Sequence, residues 1–136
     1  MTKTAIQKTL TQACIEWATD QGIPFVVSNQ DYEPIVGQSY ARQWFMDNTP
    51  VDTVLAEGYE RLIGMMQIDL NVPYGQGEAE ILDLYESFKL IFKTNGRIRN
   101  KQGMVQLAKV YLQGSNAESP WYTRYITVEY SAFSDN

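Results

Sequence analysis

The sequence predicts an α+β fold in two layers, a mostly antiparallel sheet packed by two helices, in the order α-β-β-β-α-β-β-β. Three observations carry this expectation. Apolar residues recur at helical spacing in two separate segments. Residues 62–72 alternate apolar and polar side chains through their second half, the pattern of a strand with one core face and one wetter face. The strand candidates follow one another through short loops, which favours antiparallel neighbours, and two helices on one face of such a sheet give two layers.

A chain of 136 residues suits one domain, 1–136, with 44% hydrophobic and 20% charged residues close to ordinary globular usage. Such a domain buries roughly two-thirds of the surface its unfolded chain exposes, enough for a core without metal or disulfide staples.

The first helix is expected over 4–21. Ile6, Leu10, Ala13, Cys14, Trp17 and Ala18 form one stripe, Thr4 and Gln7 have capping-box spacing, and Gly22 can close the helix in the left-handed region ahead of Pro24. Residues 24–28 read as a short strand and 29–39, with Asn, Asp, Pro and Gly, as a loop. Residues 40–46 form a second strand whose imperfect alternation implies partial cover on both faces. Residues 47–60 carry Pro50, Gly58, Asp47, Asp52, Glu57 and Glu60 without a period of 2 or 3.6. They are expected to form a long loop, mobile alone and ordered on docking.

In the strand over 62–72, Leu62, Met66, Ile68, Leu70 and Val72 fall on one face and Ile63, Met65, Gln67, Asp69 and Asn71 on the other. Residues 73–77 break it. A second helix over 78–93 puts Leu82, Tyr85, Phe88 and Phe92 on one side and ends at Asn95-Gly96. Glu78 and Glu80 near its start and Lys89 and Lys93 near its end suit the helix dipole. Three strands close the chain over 97–99, 104–113 and 121–130, separated by turns at 100–103 and 114–120. The last places Tyr122, Ile126, Val128 and Tyr130 on one face and Thr123, Tyr125, Thr127 and Glu129 on the other.

The absence of histidine removes Ser-His-Asp and Cys-His catalysis, histidine metal sites and the commonest general base. One cysteine, Cys14, excludes an intramolecular disulfide and a cysteine-rich zinc site, and its place on the apolar stripe makes it a core thiol suited to a reducing cytoplasm. No cofactor and no metal are expected. The carboxylates Glu78, Glu80, Asp83 and Glu86 read as a solvated helix face with Glu86 and Lys89 three apart, and Asp69 sits alone on a strand face. Gly75-Gln76-Gly77 is too short for a dinucleotide fingerprint, lacks a phosphate-loop lysine, and reads as a tight turn into the helix. No segment resembles a signal peptide or a membrane span, so no membrane partner is expected.

The net charge of −5 lacks the basic footprint of a protein that holds DNA tightly. Lys93, Arg97, Arg99 and Lys101 nevertheless form a run with no acid between them. The run is a solvated hairpin, a phosphate contact or a contact with an acidic neighbour. Nine tyrosines and three tryptophans, with Trp121, Tyr122 and Tyr125 close together and Trp44 and Phe45 beside the acidic loop, suit core packing and interfaces alike.

The order and punctuation of these elements resemble the tail terminator (tail completion) proteins of long-tailed bacteriophages, of the lambda-like siphophage type. The resemblance runs from the first helix and Gly22-Ile23-Pro24-Phe25 through Ser28 to Pro34 and the strand at 40–45. It is strongest from Gly64 through Pro73 into Gly75-Gln76-Gly77, and ends with Trp121-Tyr122 and Ile126-Thr127-Val128-Glu129-Tyr130. It covers most of the chain as pattern and order; the segment 47–60 matches least. The resemblance implies a structural virion protein that caps the tail tube as a ring, usually of six subunits, in a virion tail assembled in the host cytoplasm. It also implies a tail tube protein and a head connector or head-completion protein as partners, with DNA passing through the ring unbound. The candidate subunit or partner interface is Trp44, Asp47, Asp52, Leu55, Glu57, Tyr59, Glu60, Arg97, Arg99, Lys101, Trp121 and Tyr125. Basic run and acidic loop would meet between neighbours. Another neck component, or a small carboxylate-based enzyme or ligand-binding domain, are the alternative classes.

Overall fold

A computed structural model describes residues 2–46 and 59–135. The elements are α1 (Lys3–Gln21), β1 (Phe25–Val26), β2 (Tyr40–Met46), β3 (Tyr59–Pro73), α2 (Ala79–Ile91), β4 (Arg97–Asn100), β5 (Gly103–Glu118) and β6 (Trp121–Asp135). The α+β class and the order α-β-β-β-α-β-β-β are as the sequence predicts. The strands form one sheet ordered β1-β2-β3-β6-β5-β4, antiparallel throughout except for the short parallel pair β1 and β2.

Both helices pack on one face of this sheet. α1 turns Ile6, Leu10, Cys14, Trp17 and Ala18 into the core, where they meet Met66, Ile68, Leu70 and Val72 of β3, Val105 and Leu107 of β5, and Ile126 and Val128 of β6. Trp17 and Phe88 hold α1 to α2 edge to face at 5.1 Å, Phe88 stacks on Phe92 at 4.3 Å, and the Trp17 indole N–H donates to Ser87 Oγ at 2.8 Å. Gln43 is fully buried but paired, its Oε1 accepting from the Thr11 hydroxyl at 3.2 Å. The β4–β5 turn and the end of β2 flank α1, where Thr4, Thr11, Val27, Phe45, Asn100 and Gln102 help line a cavity of about 550 Å³.

Several local expectations change. α1 is capped by Thr2, whose extended backbone lets its Oγ1 accept from the Ala5 N–H at 3.1 Å; Thr4, expected as the cap, lies inside the helix. Gly22 closes α1 at φ 71° as expected. In α2 the buried side is Ile81, Leu84 and Phe88, while Leu82 is 42% exposed. Of the expected stripe, Phe88 and Phe92 are fully buried and Tyr85 packs partly buried against the core, so only Leu82 gives way, to Ile81 and Leu84. The helix stops at Ile91, before the Asn95-Gly96 pair, which instead forms a separate turn into β4. The expected turn at 114–120 is strand as far as Glu118. Gly114, at φ 63°, marks a bulge in which Gly114 and Ser115 stand against the single residue Arg124, and the reversal comes only at Ser119 and Pro120.

Candidate functional site

The helix-free face of the sheet carries the candidate surface. Strand alternation sends every second residue there, and the registers order them in rows. One row runs Arg97, Gln106, Ser131, Ile63; the next Lys109, Glu129, Met65, Met46; the next Tyr111, Thr127, Gln67, Trp44; then Gln113, Tyr125, Asp69, Arg42. Arg61, opposite Phe133, and Arg99, opposite Met104, lie on the same face. Five cations, Arg42, Arg61, Arg97, Arg99 and Lys109, therefore share this side by register with four acids, Asp69, Glu118, Glu129 and Asp135, among the described residues. An acidic chain thus presents a face whose balance is basic.

The predicted interface residues fall into three groups. Asp47, Asp52, Leu55 and Glu57 lie outside the described residues. Tyr59 and Glu60 belong to β3, paired with Asp135 and Ser134, and not to the loop in which the sequence places them. The strand reaches back this far because β6 continues past Tyr130 and supplies backbone partners. The remaining six are brought to the sheet but not to one point. Arg97 and Arg99 are exposed on β4 at one edge, with Lys101 in the following turn. Trp44, 41% exposed, is near the opposite edge. Trp121 is half-buried, edge-on to Tyr40 at 5.2 Å, and Tyr40 in turn meets Tyr32 at 5.2 Å. The Tyr125 ring lies over Gly114, where an added Cβ would come to 3.1 Å of it.

Polar contacts the sequence did not reveal organise the face. Asp69 is not alone: it accepts from the Trp44 indole at 2.7 Å and from Gln67 at 2.8 Å, while Arg42 lies 5.5 Å from the Trp44 ring centre. On the other, helix-bearing side, at the start of α2, Tyr122 donates to Glu78, and this bond to a carboxylate holds its phenol above the ordinary tyrosine range. Arg124 adds a 3.4 Å contact to the same carboxylate. At the basic edge, Arg61 joins Arg97, Gln106 and Ser131 around a cavity of about 260 Å³, beside the β5 bulge that leaves Ala108 unopposed. A sequence signal for Arg61 existed only in its register, since it and Arg97 are far apart along the chain.

The helix carboxylates are dispersed. Glu78 serves Tyr122, Glu80 accepts from Ser39, and Glu86 pairs with Lys89 at 3.3 Å. No group of three or more His, Cys, Asp or Glu among the described residues could hold a metal. Cys14 is fully buried, and burial pushes its thiol far above the ordinary range. A thiol reagent is therefore expected to label the native protein about 10³-fold or more slowly than the urea-unfolded chain, because reaction must await opening. Comparable rates in the two states would mean that Cys14 is reachable in the fold.

A family model described as phage tail terminator protein matches residues 5–130. One solved structure superimposes with a TM-score of 0.78 at 16% identity, covering 100% of this chain and 98% of that chain, a likeness of fold. A kynurenine formamidase of Salmo salar is 61% identical over 33 residues, 24% of this chain. The match spans only 11% of that protein's length, and no activity follows from so short a segment.

Proposed function

The chain belongs to the phage tail terminator family, whose role in tail assembly is structural, and from that premise we propose that it ends tail growth as a ring on the tail tube. In this reading six copies close on the tube end, stop the tube protein from adding, and present the surface to which the head connector or head-completion protein binds. The ring assembles in the host cytoplasm and acts without catalysis, cofactor or metal. DNA passes through it without specific binding, in keeping with the net charge of −5.

The family match over most of the chain is the observation that carries the reading. The sheet adds a physical means. Its two lateral edges differ, with the basic β4 at one side and the short β1 at the other. Unlike edges that meet make a heterologous contact, and such contacts close into rings when the rotation allows.

Tails assembled without this protein are expected to be overlong and unable to join heads, and purified protein added during assembly should restore both length and joining. Tails of normal length that fail only in joining would place the protein at a different step of the neck.

A further inference from the structure

The loop between β1 and β2 has features that the terminator reading does not use. Its tip exposes Ile35 at 62% and Val36 at 73%, unusual for adjacent aliphatic residues. Asp31 and Glu33 beside them are exposed and make no ion pair among the described residues. Yet the loop is braced. Tyr32 packs on Tyr40, Arg42 donates to the Gln30 carbonyl at 3.2 Å, Ser39 donates to Glu80, and a turn joins the Gln38 N–H to the Ile35 carbonyl at 3.0 Å. A braced loop with a greasy tip and flanking carboxylates loses little further entropy when it docks.

The far side of the sheet offers the complement. Arg61 and Arg97 line one cavity with Gln106 and Ser131, and neither guanidinium makes an ion pair or hydrogen bond among the described residues. Phe133, directly opposite Arg61 in the register, is 57% exposed. The loop tip thus pairs acid with aliphatic surface, and the corner pairs two arginines, one of them on the edge strand β4, with an aromatic ring on β6.

Resting on the ring reading, we propose that the tip at 31–36 of one copy seats on the Arg61, Arg97 and Phe133 corner of the next. Asp31 and Glu33 meet the two guanidiniums while Ile35 and Val36 cover the phenyl ring. The fit is charged and apolar at once, and it joins two unlike surfaces of the chain, the heterologous contact that a ring requires. A duplex phosphate backbone fits this corner less well, since the acidic chain repels a polyanion.

The test is charge exchange in the full-length protein, read by native mass spectrometry over a concentration series and by the fraction of regular-length tails when the protein completes tails in vitro. Arg61→Glu with Arg97→Glu, or Asp31→Arg with Glu33→Arg, should each raise the concentration needed for assembly by about tenfold or more. All four changes together should recover most of that loss, and circular dichroism should find every variant folded. Ile35→Asp should weaken assembly in the same way. If wild-type rings form and the arginine variant assembles equally well, the docking is wrong and the ring reading stands. Failure of the combined variant to recover would overturn the pairing. Loss of duplex DNA binding with unchanged assembly would assign the corner to phosphates instead. If wild-type protein forms no ring even on tails, the ring reading itself falls, and this docking with it.

Discussion

Replacing Phe88 by alanine is expected to lower the unfolding free energy by about 3–5 kcal/mol. Phe88 is fully buried and is the only described residue in ring contact with both Trp17 of α1 and Phe92 at the end of α2. Its removal takes away the transfer energy of the ring and leaves a cavity between two helices and the sheet. The surrounding aromatic rings are stiff, so the site collapses poorly. The melting temperature should fall by roughly 10–25 °C, since each kcal/mol moves a domain of this size by roughly 3–5 °C. Urea unfolding monitored at low protein concentration should show a lower midpoint at nearly the same slope. Phe88→Leu, which keeps most of the volume, should cost about 1–2 kcal/mol. A loss below about 1 kcal/mol for the alanine variant would mean that the two helices are not joined through this ring.

Gly64→Val is the second large effect, and it comes from too much volume instead of too little. Gly64 sits mid-strand in β3, opposite Tyr130 of β6. Its backbone lies outside the left-handed region, so conformational freedom is not the reason for glycine here. The reason is room: a Cβ built on Gly64 falls onto the Tyr130 phenol. Tyr130 is buried and meets Phe45 edge to face at 6.4 Å, which limits where its ring can go. Gly64→Ala should cost about 1–3 kcal/mol and Gly64→Val more. Because the clash is with one side chain, Gly64→Ala and Tyr130→Ala together should cost less than the sum of the two, by about 1–2 kcal/mol. Strict additivity in that double-mutant cycle would show that the ring is not what excludes a side chain at 64.

The same two sites show how far the sequence reaches. Helical spacing marked Ile6, Leu10, Cys14 and Trp17 as one core stripe, and period-2 alternation marked Met66, Ile68, Leu70 and Val72 as another; all of these are buried. Such patterns are legible because each repeats the geometry of its own backbone, and no distant partner is needed to produce them. The α+β class follows from counting them in order. The second helix shows the limit. Leu82 and Ile81 lie on overlapping stripes that share Phe88, and only the docking of α2 on α1 and the sheet decides which is covered. Thr2 over Thr4 as the cap, and Glu118 over Gln113 as the end of β5, were likewise settled by what lay alongside.

For the candidate surface the division is sharper. The charge of Arg97, Arg99 and Lys101 stood out as a run in the sequence because the residues are close along the chain. Arg61 did not, since it reaches Arg97 only through two intervening strands, β6 and β5. Asp69 read as an isolated carboxylate until β2 brought Trp44 across to it. What the sequence by itself determined is the set of elements, their apolar faces and the lack of a histidine-based chemistry. What only the tertiary structure decided is which polar groups share a surface, because strand register joins residues by position across a sheet and leaves no periodic trace in either strand alone.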